Sequence, residues 1–257
     1  MSRREMSKQR TVEGPYKERL EALAPLENFD PAAFLDDDVT TQNLCSFVLA
    51  LAVAYNDFAD IILAYRALAS VKPSDEQERT PQRGQYSGLQ TALNRLLAGA
   101  VSEVLVLIEK NRRTVDGDDF QSLLNRLSPR SRESWQDLYD VARKRNVKST
   151  LGKALVDTRN HVAFHYGARH LADGFESAFS SGRCGLPCVS RGVSMMGTRF
   201  YFADAAAQAA FFSEEDTAMI ESALNERSRL LADLNQALYD LVTTFVAWRG
   251  YTWRTEP

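Results

Sequence analysis

Cysteine and histidine are scarce in this chain, three of each in 257 residues, and glycine and proline number only 13 and 8. So few turn-forming residues disfavour an all-β fold assembled from many short strands. An odd number of cysteines fits a reducing cytoplasm better than a disulfide framework. Cys45 falls in an apolar helical stretch, where a thiol reads as a small core residue. Cys184 and Cys188 form CGLPC, which could chelate a metal or close a small disulfide. Zinc wants four ligands, however, and no second pair of cysteines or histidines stands at a suitable spacing. A strong charge bias is missing too: 31 Lys and Arg against 34 Asp and Glu give a net of -3. A polyanion would have to be met by a local patch, because the whole molecule does not attract one. The most apolar run, Phe47 to Tyr65, is interrupted by Asn56, Asp57 and Asp60, which suit the wet face of a soluble helix better than a bilayer. The first residues, MSRREMSKQR, lack the apolar segment of a secretory signal. The expectation is a soluble cytoplasmic protein with no membrane partner.

What is present is ordinary globular material, 44% hydrophobic and 25% charged, and its patterning is helical. Residues 1–38, broken by Gly14, Pro15, Pro25 and Pro31, read as an N-terminal arm or linker holding at most a short helix. A long helix capped by Thr40 or Thr41 is predicted to run to Ser70, with Phe47, Leu51, Tyr55, Phe58, Ile62 and Tyr65 at three- and four-residue steps. After a loop over VKPSDEQERTPQRGQ, a second runs from Ser87 to Asn111 through Leu89, Leu93, Leu96, Leu97, Val101, Val104, Leu105 and Ile108. A turn at Asp116–Asp119 precedes a short helix ending near Leu127. Ser128-Pro129 opens another helix to about Arg145, since proline costs little at a first helical position. A further helix spans 149–173, ending near Gly167 or Gly174. RGVSMMGTRFYF reads as a β-hairpin with Gly197 near its turn, an insertion around 185–203. An Ala-rich helix over 203–212 follows. Ser213 with Asp216 then resembles a capping box for a last helix to Trp248, striped by Ile220, Leu224, Leu231, Leu234, Leu238, Leu241 and Phe245. Residues 39–257 thus form one mostly all-α domain, a helical bundle with a small β-hairpin insertion.

All three histidines, His161, His165 and His170, fall within VDTRNHVAFHYGARHL. At about 100° per residue, Asp157, His161 and His165 share one helical face. Leu155, Val162 and Tyr166 form an apolar stripe, with Arg159 beside it. One reading makes Asp157, His161 and His165 metal ligands, since side chains four residues apart meet on one face. The zincin pattern is excluded because Val162 stands where a glutamate base belongs. A di-iron bundle would need histidines on other helices. The other reading joins Arg159, Asn160 and His165 into a phosphodiester-cleaving set. Arginine grips a phosphate through two parallel hydrogen bonds, and a neutral imidazole exchanges protons with a ribose 2′-hydroxyl or the leaving oxygen near neutral pH. No metal or cofactor is then needed. Arg159 and His165 stand about 120° apart on one helix, so a second copy across a twofold axis would be required to bring both pairs to one cleft.

The string RNHVAFHY resembles the active motif of the HEPN superfamily, all-helical domains found in RNA-cleaving toxins, abortive-infection proteins and CRISPR-associated nucleases. Arg159 is followed by Asn160, and five residues separate Arg159 from His165, one more than the commonest spacing. The wider pattern, RN-x-x-AFHY and then TRFYFADAA, resembles an uncharacterised bacterial branch with the same motif. The resemblance implies a HEPN-like helical bundle acting as a metal-independent endoribonuclease, with its site at a homodimer interface. It assigns the scissile phosphate to Arg159, its orientation to Asn160 and the acid or base role to His165. It places such a protein in a toxin–antitoxin or phage-defence setting, with an antitoxin or defence-system partner. The tyrosine modified in some toxins of the family stands two residues after the histidine; here that position is Gly167, and this regulation is not carried over.

Charge adds to this reading. From Arg126 to Arg169 there are ten basic residues (Arg126, Arg130, Arg132, Arg143, Lys144, Arg145, Lys148, Lys153, Arg159, Arg169) and four acids, a local net of +6. Arg143, Lys144, Arg145, Lys148 and Arg169 are the candidate substrate-binding residues, a path for an RNA backbone leading into the motif. The competing explanation is that RKRNVK caps a helix C-terminus, where cations are favoured. Trp135 and Tyr139 read as core rather than as base-stacking residues. The alternative function is a non-catalytic helical module of the same kind, binding a nucleotide, RNA or a partner protein.

Overall fold

The computed structural model describes residues 13–21, 27–73, 80–144, 168–180, 186–189, 198–211 and 232–255, and these are mostly helical. Helix α1 is Glu13–Glu21; β1, Glu27–Asn28, and a 3-10 turn, Pro31–Phe34, follow it. Then come α2 (Val39–Ser70), α3 (Pro81–Lys110), α4 (Arg112–Val115), α5 (Asp118–Leu124) and α6 (Pro129–Ala142). Beyond these lie α7 (Ala168–Ser180), α8 (Tyr201–Phe211), α9 (described over 232–248) and β2 (Arg254–Thr255).

Local chemistry accounts for the starts of the long helices. Asp38, not Thr40 or Thr41, caps α2: its carboxylate accepts from the Thr41 amide at 2.8 Å, satisfying a donor that has no partner inside the helix. Helix α3 begins six residues before the expected Ser87, at Pro81. Proline is at home in the first turn, and Thr80 Oγ1 accepts from the Arg83 amide at 3.2 Å. The expected loop is therefore shorter at its C-terminal end. Ser128 caps α6 in the same way, with Pro129 next. Helix α6 stops at Ala142, and Lys144 takes the left-handed conformation, φ 53°, that commonly ends a helix.

The core forms where α2, α3, α5, α6 and α9 converge. Phe47, Phe120 and Trp135 pack edge and face with centroids 5.1–6.3 Å apart. Around them lie Leu51, Val101, Ile108, Leu138, Leu234, Leu238, Leu241 and Phe245, all 1% exposed or less. Of the expected stripes, Phe47, Leu51 and Phe58 of α2, Leu234, Leu238, Leu241 and Phe245 of α9 and the second half of that of α3 are thus buried, Tyr55, Ile62 and Tyr65 are half-buried against this core, Leu89 and Leu96 are exposed, and Ile220, Leu224 and Leu231 lie outside the described residues. Trp135 is core and Tyr139 packs against it. Helices α2 and α3 are also long and apolar enough to cross a membrane by length and composition, with 28% and 39% of their most apolar windows buried in the protein. A core helix of a soluble protein has the same properties, and Asn56, Asp57 and Asp60 of α2 are exposed.

Residues 27–38 are tied to the other end of the chain. Strand β1 pairs antiparallel with β2, Glu27 opposite Thr255. Arg249 donates to the carbonyls of Ala32, Ala33 and Leu35 at 3.2–3.4 Å and pairs with Asp36 at 2.9 Å. Buried Cys45 lies below, its Sγ 3.8 Å from the Ala33 carbonyl, and burial raises its thiol pKa.

Two expectations are corrected downstream. Helix α7 does not stop at Gly174 but runs through it to Ser180. It packs on α8, and Gly174 is buried within it, as are Ala178 and, in α8, Ala206 and Ala207. The second strand expected in TRFYF is absent from Tyr201 onward. Arg199 makes an isolated bridge, and Tyr201 and Phe202 open α8. Asp204 in the first turn favours that start, since a carboxylate is stabilised at a helix N-terminus. Residues 190–197, including Gly197, and the expected capping box at Ser213 and Asp216 lie outside the described residues.

The clamp at Arg249 has a pH signature. The Asp38 amide first, and then Arg249, hold the Asp36 carboxyl below its ordinary value of 3.8. A lowered folded-state pKa contributes stability above the unfolded value and loses it as pH falls through the folded one. Thermal unfolding midpoints measured downward from pH 5 are expected to drop less in Asp36→Asn than in the parent. Arg249→Ala is expected to destabilise at neutral pH, because it unpairs Asp36 and strips donors from three carbonyls.

Candidate functional site

The motif residues Arg159, Asn160 and His165, the two flanking cations Arg145 and Lys148, and the alternative metal set Asp157, His161 and His165 all lie outside the described residues. Arg169 and His170 fall in the first turn of α7. The described portion of the candidate surface is the corner where α6 ends, at Arg143 and Lys144.

Arg143 does not extend freely from that corner. Its side chain is 14% exposed, with Nη1 3.5 Å from Glu109 Oε2 at the end of α3, and its guanidinium lies over the Tyr139 ring, 5.9 Å from the centroid. Tyr139 donates its hydroxyl to Asp116 at 2.6 Å, and Arg112 reaches the same carboxylate at 3.4 Å. The Tyr139 hydrogen bond is the main reason that the Asp116 carboxyl titrates below its ordinary value. The result is a chain of contacts running Glu109, Arg143, Tyr139, Asp116, Arg112, which ties the ends of α3 and α6 to α4. Upstream in the basic run, Arg130 pairs with Asp233 of α9. Of Arg126, Arg130, Arg132, Arg143 and Lys144, two therefore have carboxylate partners inside the fold. Lys144, by contrast, is exposed.

Nothing in the local sequence of α6 announces the partners of Arg143, because Glu109 is 34 residues away and becomes a neighbour only when α3 and α6 pack. Asp116 and Tyr139 are likewise distant. The one legible signal is the spacing of Tyr139 and Arg143, four apart and so on one helical face.

A second feature sits on the first half of α3. Gly84 and Gly88, one helical turn apart, leave a notch filled from α8 and the residues before it. A Cβ at 88 would lie 1.8 Å from Arg199 Nη2, and one at 84 would lie 2.5 Å from the Tyr201 ring. Arg199 Nε donates to Asp204 at 2.8 Å and Nη1 to Gln85 Oε1 at 3.3 Å, while the Tyr201 hydroxyl donates to the Pro81 carbonyl at 3.0 Å. The segment following the motif is therefore seated on α3. Neither Arg199 nor the glycine pair was among the sequence candidates, although the Gly-x-x-x-Gly spacing in a helical stretch was visible.

Among the described residues no cluster of three or more His, Cys, Asp and Glu could hold a metal. Cys188 of CGLPC is exposed, and Cys184 lies outside the described residues. No protein family, curated protein or solved structure matches the chain.

The corner separates two kinds of cation, and substitution distinguishes them. Arg143→Ala is expected to destabilise by about 1–3 kcal/mol, read by chemical denaturation, because Glu109 and Tyr139 lose their partner. Lys144→Gly is expected to stabilise by about 1 kcal/mol by relieving a left-handed backbone. If Lys144 meets a phosphate, the same change lowers the log–log salt slope of RNA binding by about 0.7.

Proposed function

We propose that the chain is a metal-independent endoribonuclease of HEPN type, cleaving RNA by attack of its own 2′-hydroxyl. The observation that carries the reading is RNHVAFHY itself: a guanidinium, an amide and an imidazole in one short stretch. The mostly helical architecture supports it, being the fold class that the resemblance implies. In this reading Arg159 neutralises the scissile phosphate, where a paired donor is worth most as charge develops on the non-bridging oxygens. Asn160 orients that phosphate. His165 takes the 2′-hydroxyl proton or returns one to the leaving oxygen, so the bond to the 5′-oxygen breaks and a 2′,3′-cyclic phosphate remains. Two copies related by a twofold axis bring both sets to one cleft, and RNA reaches it along Lys144, Arg145, Lys148 and Arg169. A cytoplasmic protein working in toxin–antitoxin or phage defence, with an antitoxin or defence partner, is the setting that goes with this chemistry.

A second reading is a non-catalytic helical module binding a nucleotide, RNA or a protein. The ion pairs that occupy Arg130 and Arg143 favour it, since they withdraw two cations from any phosphate path.

The two readings part on turnover. Purified protein in EDTA is expected to cleave RNA to products ending in a cyclic phosphate, and Arg159→Ala and His165→Ala are each expected to slow cleavage by about 10²-fold or more. Undiminished cleavage by both variants would remove the ribonuclease reading. Binding without turnover, weakened by Arg159→Ala, would establish the second. Stoichiometric metal in elemental analysis would instead favour Asp157, His161 and His165 as ligands.

A further inference from the structure

We propose that the exposed phenylalanine cluster of α7 and α8 is a docking surface for a cationic amphipathic helix of a partner protein. The proposal stands apart from the ribonuclease reading and uses only described residues.

Phenylalanine is ordinarily an interior residue, yet Phe200 is 57% exposed and Phe175 39%. The rings form one array. Phe179 meets Phe175, Phe175 meets Phe202 and Phe202 meets Phe200, with centroids 4.7, 6.3 and 5.8 Å apart. Phe179 and Phe202 are half-buried. Residues 186–189 reach the same place, because the Phe202 amide donates to the Cys188 carbonyl at 3.2 Å. They add Leu186, 79% exposed, and Val189, 37% exposed. Single apolar residues on a surface are ordinary, whereas a cluster drawn from three segments of the chain marks a surface that another molecule covers.

Charge selects the occupant. Arg199 and Asp204 neutralise each other at 2.8 Å. On α7, at about 100° per residue, Phe175 and Phe179 share one face. Glu176 borders that face on one side, with Asp173 beyond it, and buried Gly174 and Ala178 lie on the other. Glu176 and Asp173 are exposed and make no ion pair among the described residues. The unneutralised charge beside the rings is therefore negative. A second copy docked face to face brings the same carboxylates against these, and like charges oppose it. A phosphate backbone or an anionic membrane meets the same obstacle. An apolar segment with Lys or Arg along one flank matches both features, covering the rings and meeting Glu176. Ring spacing favours a helix as the form of that segment. Side chains three or four apart on a helix stand about 5–6 Å from one another, close to the separations of these rings, and such anchors are how a helix lies on an apolar surface.

The test uses the full chain and a labelled helical peptide of about 18 residues, leucine on one face and lysine on the other, read by fluorescence anisotropy. Two further peptides are compared with it: the same composition scrambled so that no apolar face forms, and a version with glutamate for lysine. The leucine–lysine helix is expected to bind, and the other two to bind about tenfold more weakly or worse. Phe200→Ser and Phe175→Ser are each expected to weaken it about tenfold or more, as for an aromatic residue at the centre of an interface. Glu176→Gln should weaken it about two- to fivefold and reduce its salt dependence. Leu49→Ser on α2, where the leucine is 52% exposed, should change nothing. Thermal unfolding identifies the folded variants; if Phe175→Ser unfolds the chain, Phe200→Ser decides, since most of that ring already faces water.

A parent protein that leaves the leucine–lysine helix unbound overturns the proposal, as does binding that survives Phe200→Ser or is equal for the glutamate peptide. Self-association in sedimentation that Phe200→Ser abolishes assigns the surface to a second copy instead. Phosphatidylcholine vesicles bound by the parent and not by Phe200→Ser assign it to lipid. Either result overturns the partner-helix proposal and leaves the ribonuclease reading untouched.

Discussion

Helix α3 is required to serve two neighbours along one length, and much of the architecture depends on how it does so. Its second half presents Leu97, Val101, Val104, Leu105 and Ile108 to the aromatic core, where apolar area removed from water supplies the driving force. Its first half presents almost nothing at positions 84 and 88, and that emptiness is what Arg199 and Tyr201 fill. A side chain at either position would displace the Arg199 guanidinium or the Tyr201 ring from its place against the α3 backbone. Burial holds one end of the helix, while a guanidinium in a backbone notch holds the other.

The same economy appears at the chain's far end. Arg249 gathers three carbonyls from the 3-10 turn and the Asp36 carboxylate. So short a turn leaves most of its carbonyls without a backbone donor, the Ala32 carbonyl accepting from the Leu35 amide, and a fork of donors suits the group better than a single ammonium would. The β1–β2 pairing beside it contributes only two residues on each strand. Arginine therefore stitches together elements distant in sequence at both places. Arg143 does so a third time, between α6 and α3. In each case the cation lies against carboxylates or carbonyls of the protein itself. A net basic run in the sequence is consequently a poor guide to which charges remain for a ligand.

The helical character was legible because the relevant forces are local and periodic. Phe47, Leu51 and Phe58 recur at helical steps and are buried together; Ser128-Pro129 caps a helix with its own atoms. Glycine and aromatic-rich stretches misled for the opposite reason. Gly174 reads as a stop until the packing of α7 on α8 is known. RFYF reads as strand until Asp204 and the α3 notch are known, because aromatic residues suit either conformation and only a neighbour decides. The start of α3 was missed because two prolines in a polar stretch suggest a loop, whereas Pro81 occupies the one helical turn that tolerates it. For the candidate site the sequence speaks more fully than the fold does, since Arg159, Asn160 and His165 are a motif of types and spacing.

By itself, then, the sequence determined the all-α class, the core-facing positions of α2 and of the described part of α9, and the chemistry available at 157–170: two guanidiniums and three imidazoles in a chain with no other histidine. These follow from periodicity and residue type, which act over a few positions. Only the tertiary structure decided that Arg143 meets Glu109, and that Gly84 and Gly88 are a seat for Arg199. It also decided that the residues before α2 are bound to those after α9. Each of these joins groups tens of residues or more apart, and a pairing of that kind has no local signature because its energy exists only once the helices have packed.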